Sequence, residues 1–347
     1  MKKRELAFPG RLALLLVLLG AVAGPARSDP PAGSPSGPPQ PSSQPLSGPP
    51  PTGPAVDPNE SAVVQELEVI GRYAGPPQWT VRRGEAQVVV LGALSPLPHT
   101  LEWNTHRFER ALDGARLVIL PPNGRVGLLD AAYILFHQGD LRLPSGQSLW
   151  DRLSPDERRR FDALRTAART EPKRYERLKP AVAGMILDAD FEKAVGLSAA
   201  KPGSTVKRMA EARQIHTEVE GLPAAALFRA ATRADDAGSH ACFLAFLADA
   251  ERNRDHGPAL ANAWAGGDLA AVKAGYLPSA VEQCLAGAPG LGAFVEKLTR
   301  DATAQIDAAL AKGGKTVAVI DLRVLLHADG VLDRLKAEGA TIEVPME

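Results

Sequence analysis

The apolar run Val88-Val89-Val90-Leu91 most constrains what this chain can fold into. A strand with one face in water alternates apolar and polar residues, whereas a strand buried on both faces does not. The run therefore predicts that Ala86–Leu91 is an interior strand of a sheet, covered on both faces. A turn at Arg83-Gly84 joins it to a preceding strand, Trp79–Arg82, and the two form a hairpin.

Further apolar strands occur toward both ends of the folded sequence. Ala115–Leu120 follows the hairpin, and Thr316–Leu322 and Thr341–Val344 lie near the C-terminus. The long stretch between them has a helical pattern. We therefore predict an α/β (α+β) fold, in which the N- and C-terminal strands form a mixed central sheet and a large helical insert covers it.

Glycine and proline set the expected boundaries of several elements. Pro121-Pro122 is expected to stop the strand before it, because proline cannot donate to a strand ladder. Ser154-Pro155-Asp156-Glu157 is a capping box with proline at the first helical position, and it predicts the start of a helix. After a candidate strand at Ile215–Val219, a helical pattern extends from Leu222 to about Leu310, with breaks expected at Gly257-Pro258 and Gly266-Gly267.

The N-terminus has the pattern of an export signal. Basic residues precede the apolar run Leu12–Ala23, and small residues follow it. This run is shorter than the roughly 20 apolar residues that a membrane span needs, so we predict a cleaved signal peptide over residues 1–26. An uncleaved anchor is the alternative. The protein is then expected to be periplasmic or secreted, with no stable membrane span after signal cleavage.

Two further segments follow the predicted signal peptide. Residues 27–58 are rich in proline, glycine and serine, which cannot bury enough apolar surface to fold, so we predict a disordered linker. Residues 59–347 are predicted to form the folded domain. In an oxidising compartment its two cysteines, Cys242 and Cys284, are candidates for a disulfide, and two buried free thiols are the alternative.

Composition excludes one class of partner. The chain has 40 basic and 40 acidic residues, and no basic stripe stands out. Because nucleic-acid binding needs clustered lysine and arginine, we expect no nucleic-acid partner.

Several segments resemble one family when they are taken in order. The hairpin ends in a glycine, Gly92; a Lys-Pro pair follows at Lys179-Pro180; Ala263–Leu269 has the form Trp-x-x-Gly-Asp; and Ala318–Pro345 closes the chain with a strand, loop, helix and strand. Together these resemble the TraB/GumN family. The resemblance implies a metal-dependent hydrolytic site built on two Gly-x-x-His turns, each at the end of a strand.

The positions that the resemblance assigns to chemistry differ in this chain. Ser95 stands where the first histidine is expected, and Arg323 stands near the second. Pro121 replaces an acidic residue, and Asp301 replaces the asparagine that should follow Arg300. A divalent metal needs several histidine or carboxylate ligands. We therefore expect a degenerate member without a cofactor, with Ser95, Arg300 and Arg323 marking the former catalytic positions.

This interpretation favours a binding or accessory module of the cell envelope, whose partner is a peptide or an envelope protein. A metal-dependent, peptidase-like hydrolase with a rearranged site is the alternative. Its divalent metal would be held by His99 and His327, with Glu218 or Asp321 contributing a carboxylate; two surface histidines in loops are the simpler explanation. A purely structural envelope protein is the third possibility.

Overall fold

The computed structural model describes residues 75–123, 128–199, 201–221, 228, 232, 235–276 and 292–345. The predicted signal peptide, the predicted linker, the start of the predicted domain and Cys284 lie outside these residues. The other predicted disulfide partner, Cys242, is buried on a helix. The disulfide therefore stays a prediction.

Eight strands are formed by the described residues. They are β1 Gln78–Arg83, β2 Ala86–Ala93, β3 Leu97–Pro98, β4 Ala115–Asn123, β5 Leu197–Ser198, β6 His216–Gly221, β7 Lys315–Asp321 and β8 Thr341–Glu343. Ten α-helices accompany them: α1 His106–Leu112, α2 Leu128–His137, α3 Pro155–Ala167, α4 Pro180–Ala194, α5 Gly203–Ala212, α6 Asp236–Gly266, α7 Leu269–Tyr276, α8 Gly292–Ala311, α9 Leu322–Leu326 and α10 Val331–Ala337.

The predicted mixed sheet is confirmed. Six strands have the order β6-β4-β7-β2-β1-β8, so the two ends of the chain interleave at its centre. The four strands β6, β4, β7 and β2 run parallel, whereas β1 pairs antiparallel with β2 and with β8. A separate pair, β3 and β5, joins the loop after β2 to the end of α4.

Two apolar cores stabilise the domain. The sheet core contains the apolar run of β2 and the facing strand β7, and Val88, Val90, Val317 and Val319 are fully buried there. The helical core lies among the insert helices, where the rings of Phe161 and Phe243 stack at 5.8 Å between centroids. Burial of apolar area supplies the main stabilisation of both cores.

One helix joins the two cores, and this corrects a sequence prediction. Helix α6 continues through Gly257-Pro258, where a break was expected. Its first half places Phe243 and Leu247 in the helical core, and its second half places Ala261 and Trp264 in the sheet core. Packing at both ends offsets the local cost of glycine and proline. The predicted end at Gly266-Gly267 is confirmed, with Gly267 in the left-handed conformation at φ 82°.

The expected stop at Pro121-Pro122 is also wrong, since β4 continues to Asn123. The two prolines lie where the β4–β6 register shifts between Leu120 and Asn123. A bulge leaves residues outside the ladder, so the missing proline N–H groups cost no hydrogen bond. The predicted capping box is confirmed: Ser154 Oγ accepts from the Glu157 N–H, and the Glu157 carboxylate accepts from the Ser154 N–H.

Candidate functional site

The parallel strands β2 and β7 end side by side, which brings two predicted positions together. Ala93, the last residue of β2, is in register with Asp321, the last residue of β7. Ser95 and Arg323 each follow two residues later. Ligand sites of parallel sheets lie at the carboxyl ends of the strands, so this edge is the candidate site.

A tyrosine that the sequence analysis missed lies between the two strand ends. The Tyr276 hydroxyl donates to Oδ2 of Asp321 at 2.7 Å and accepts from the backbone N–H of Ser95 at 3.2 Å. Its side chain is buried, with 3% of the residue exposed. Tyr276 therefore joins the turn after β2 to the turn after β7 through one phenol oxygen.

Arg323 packs on the same ring. Its guanidinium carbon lies 3.9 Å from the Tyr276 ring centroid, and its Nε donates to the Tyr276 carbonyl at 3.4 Å. A cation over an aromatic face is attracted by the ring quadrupole. Asp321 also accepts the Arg323 backbone N–H through Oδ1 at 2.8 Å, which caps helix α9. Ring, carboxylate and guanidinium thus hold one another in place.

Local sequence explains how Tyr276 reaches this position. Gly267 ends α6, and Asp268 Oδ1 then accepts from the Ala271 N–H at 2.9 Å at the start of α7. Helix α7 is eight residues long and ends at Tyr276. Before the turn, Trp264 donates through Nε1 to the Gly92 carbonyl at 2.8 Å. The Trp-x-x-Gly-Asp segment therefore attaches α7 to the end of β2.

Gly92 leaves no room for a side chain at this junction. A Cβ built there would lie 2.4 Å from Leu322 Cδ2 and 2.5 Å from Trp79 Cζ3. Such distances are shorter than any van der Waals contact. The glycine is needed because β2, the start of α9 and the ring of Trp79 pack directly together.

Burial changes the titration of this network. Burial raises the pKa of the Tyr276 phenol well above its ordinary value, and the negative charge of Asp321 adds to that effect. Burial also raises the pKa of Asp321, while the Arg323 charge and the hydrogen bond from Tyr276 oppose the shift. The phenol is therefore a neutral donor at neutral pH, and Asp321 is the acceptor.

A group of acids on the helical insert includes Glu192, which is close enough to Arg323 to feel its charge. Asp188 and Glu192 are one turn apart on α4, and Asp249 is on α6. Burial raises the pKa of Glu192 to about 7, and the positive charge of Arg323 opposes the shift. Burial raises the pKa of Asp188 well above its ordinary value, with smaller contributions from the charges of Glu192 and Asp249.

Among the described residues, one oxygen of this group is left without a hydrogen-bond partner. Asp188 Oδ1 is buried and accepts no hydrogen bond within the described part of the chain. Asp249 differs, because it forms an ion pair with Arg252. Asp188 and Glu192 were not identified from sequence, although two acids four residues apart in a mostly apolar helix would have been a usable signal.

Arg300, the third predicted position, lies apart from this network. Its side chain is exposed on α8, and the contacts that join Ser95, Tyr276 and Asp321 do not involve it. Asp301 forms an ion pair with Lys297, its neighbour at i−4. Side chains adjacent in sequence diverge on a helix, whereas those four apart meet, so Lys297 is the partner and not Arg300.

The two histidines of the rearranged metal site are both exposed. The backbone N–H of His99 donates to the Gly196 carbonyl at 2.8 Å, and His327 Nδ1 contacts the carbonyl of Ala328. Glu218 is exposed on β6, at the sheet edge. Across the residues that the structure describes, no three histidine, cysteine, aspartate or glutamate side chains are grouped to hold a metal. Their assignment as ligands stays a prediction.

The described residues also bear on membrane insertion. Within them, no helix combines the length and the apolar character that crossing a bilayer requires.

Comparison with known proteins agrees with this architecture. The model of the TraB/PrgY/gumN family matches residues 77–344, from the start of the hairpin to the end of the last strand. No curated protein and no solved structure matches the chain.

Proposed function

Because the chain belongs to the TraB/PrgY/gumN family, we propose that it is an exported, degenerate member that acts as a non-catalytic binding module of the cell envelope. In this proposal the sheet-edge site between Ser95 and Arg323 binds a peptide or an envelope protein and hydrolyses nothing.

The position of Tyr276 carries the proposal. The family resemblance expects metal-binding histidines after β2 and after β7, and here a buried tyrosine bonds to both turns. The Tyr276 hydroxyl is the hydrogen-bond partner of both the Ser95 N–H and the Asp321 carboxylate. A metal ion would need open carboxylate and imidazole ligands at this place. The closed network supports loss of the metal reaction.

Arg323 indicates the chemistry of the ligand. Arg323 is a partly exposed residue, and its guanidinium lies over the Tyr276 ring. A guanidinium recognises a carboxylate through paired hydrogen bonds. The matching ligand is a peptide that offers a C-terminal or side-chain carboxylate. The N-terminal signal pattern supports an encounter outside the cytoplasm.

Metal content and activity test the loss of hydrolysis. The purified full-length chain is incubated with manganese, cobalt or zinc, and elemental analysis and a peptide-hydrolysis assay follow. We expect no stoichiometric metal and no turnover. One firmly held metal per chain, with activity that His99→Ala or His327→Ala abolishes, would overturn the proposal in favour of the rearranged hydrolase.

A binding experiment tests the ligand. Peptides with a free C-terminal carboxylate are compared with their C-terminal amides, for the wild type and for Arg323→Gln. We expect the carboxylate peptide to bind the wild type about tenfold or more tightly, and Arg323→Gln to remove the difference. The matched control is Arg300→Gln, an exposed arginine outside the network, which should leave the preference unchanged. Equal binding of both peptides by the wild type would exclude carboxylate recognition.

One observation favours a second candidate, an active hydrolase. Glu192 has a pKa of about 7 and lies within the field of Arg323. A carboxyl group with this pKa can exchange protons at neutral pH, as general acid–base catalysis requires. Peptide turnover that Glu192→Gln abolishes, without change in metal content, would identify this candidate.

A further inference from the structure

Helix α2 exposes large apolar side chains to solvent. Leu129 is 87% exposed and Phe136 is 83% exposed, and Leu135 and Ala132 are exposed beside them. Leu129, Ala132 and Phe136 follow the i, i+3, i+7 spacing of one helix face. These residues form an exposed apolar face, which we call the α2 face.

The back and one flank of α2 are anchored. Ile134 is 3% exposed and belongs to the helical core. The Tyr133 ring stacks on His137 at 4.1 Å and meets Phe228 edge-to-face at 6.0 Å, both between centroids. These contacts fix the rotation of α2 about its axis. The α2 face therefore cannot turn inward unless they are lost.

A basic cavity adjoins the α2 face. An open cavity of about 730 Å³ is lined by the basic side chains of Arg142, Arg177 and Lys179 and, among the described residues, by one carboxylate, that of Asp140. Tyr133 also lines it. Tyr133 is four residues after Leu129 and three before Phe136, so it borders the α2 face, and the apolar face and the basic cavity are contiguous there.

The combination of an exposed apolar face and a basic cavity indicates the kind of partner that this surface binds. Two projecting apolar side chains about two helical turns apart suit insertion among acyl chains, and guanidinium and ammonium groups beside them suit the phosphates of lipid headgroups. We propose that the α2 face and the basic cavity form a peripheral docking surface for an anionic lipid bilayer. This surface consists of residues outside the Ser95–Arg323 site. Its experimental test is therefore independent of the test of the proposed function.

Vesicle flotation tests the surface with the full-length chain. Phosphatidylcholine vesicles are compared with vesicles that also contain phosphatidylglycerol. We expect preference for the anionic vesicles, and Arg142→Gln with Arg177→Gln should lower partitioning to them about tenfold or more, since each cation contributes roughly fivefold. Leu129→Ser with Phe136→Ser should lower it by about tenfold or more as well. Val344→Ser, at another exposed apolar residue, is the matched control and should change nothing.

Every variant also contains the apolar run Leu12–Ala23. A fluorescence readout on α2 therefore distinguishes binding through the α2 face from binding through that run. Phe136→Trp should show a blue-shifted emission change with anionic vesicles that the wild type lacks. Thermal unfolding of each variant confirms that it is folded. The proposal is overturned if Phe136→Trp emission does not change on vesicle addition. It is also overturned if the serine variants lose self-association while keeping the vesicle binding of the wild type, because the α2 face is then a protein interface.

Discussion

Tyr276 donates its phenolic hydrogen to Asp321, at 2.7 Å between Oη and Oδ2, at the end of the central strand β7. The same oxygen accepts the Ser95 N–H at the end of β2. One side chain thus links two strand ends that are more than 200 residues apart in the sequence. The contribution of this link to the free energy of unfolding can be measured.

Removing the Tyr276 hydroxyl should destabilise the domain. In Tyr276→Phe the part-buried Ser95 N–H and Asp321 Oδ2 both lose a partner, and leaving a desolvated polar group unsatisfied costs about 1–3 kcal/mol. We expect the free energy of unfolding in urea to fall by an amount in that range. The m-value should not change, because the variant exposes no additional surface on unfolding.

Ser95→Ala is the control for this variant. Ser95 contributes to the link through its backbone N–H, whereas its hydroxyl donates to the Ala199 carbonyl at 3.2 Å near the surface. We expect a change within about 0.5 kcal/mol. A loss as large as that of Tyr276→Phe would mean that the serine side chain, and not the phenol bridge, holds the two turns.

Glu192 should make stability depend on pH. Its folded pKa of about 7 lies above the ordinary value of 4.5, so the folded state keeps a proton that the unfolded state has released. The free energy of unfolding should therefore fall as pH rises from 4.5 to about 7. We expect a loss on the order of 1–2 kcal/mol, because Glu192 is partly exposed and screened. The raised pKa of Asp188 acts in the same direction.

Urea unfolding at pH 5 and pH 8 tests this dependence. Glu192→Gln carries no titrating group at this position, so its stability should change less between the two pH values than that of the wild type. Glu102→Gln, at an exposed loop position, is the matched control and should keep the wild-type dependence. Parallel behaviour of all three proteins would contradict the assignment to Glu192.

Gly92 should not tolerate even a methyl group. In Gly92→Ala the new Cβ would lie 2.4 Å from Leu322 and 2.5 Å from Trp79, so one of the packed elements must move. Overpacking of a core costs typically about 1–3 kcal/mol. Thermal unfolding should show a lower midpoint than the wild type. Gly139→Ala, where no atom lies within 4 Å of the new Cβ, should be close to neutral.

Replacing Pro258 tests the continuity of α6. This proline is exposed in the interior of the helix, where it removes a backbone donor. Pro258→Ala should therefore stabilise the protein, by about 1–3 kcal/mol. Pro155→Ala is the matched control, because proline at a first helical position costs nothing and presets the backbone. A loss of stability in Pro258→Ala would instead indicate a real break at this point.

The sequence was sufficient for features that depend on neighbouring residues. The apolar run of β2 predicted a buried interior strand, because the alternation of side chains along a strand is local. The capping box at Ser154 was predicted for the same reason, since its two hydrogen bonds span three residues. The order of such segments along the chain also indicates the family without reference to the sheet order.

Other features depended on contacts between distant segments. The continuity of α6 through Pro258 results from packing in two separate cores, and local propensity cannot report that packing. Pro121 is tolerated in β4 because the register shifts there, which depends on the neighbouring strand β6.

The candidate site divides in the same way. Ser95 and Arg323 were identified from sequence because they occupy positions that a family pattern marks. Tyr276 was not, because no local pattern distinguishes a tyrosine at a helix end from a surface residue. Asp188 and Glu192 were also missed: their spacing on a mostly apolar helix is a local signal, but the burial that shifts their pKa values is not. Their roles arise only when the parallel register of β2 with β7 places Ala93 beside Asp321, and α7 and α4 pack around that edge. Sequence determined the elements and their order, and tertiary structure decided which side chains share a buried environment, because burial and hydrogen bonding belong to contacts and not to single residues.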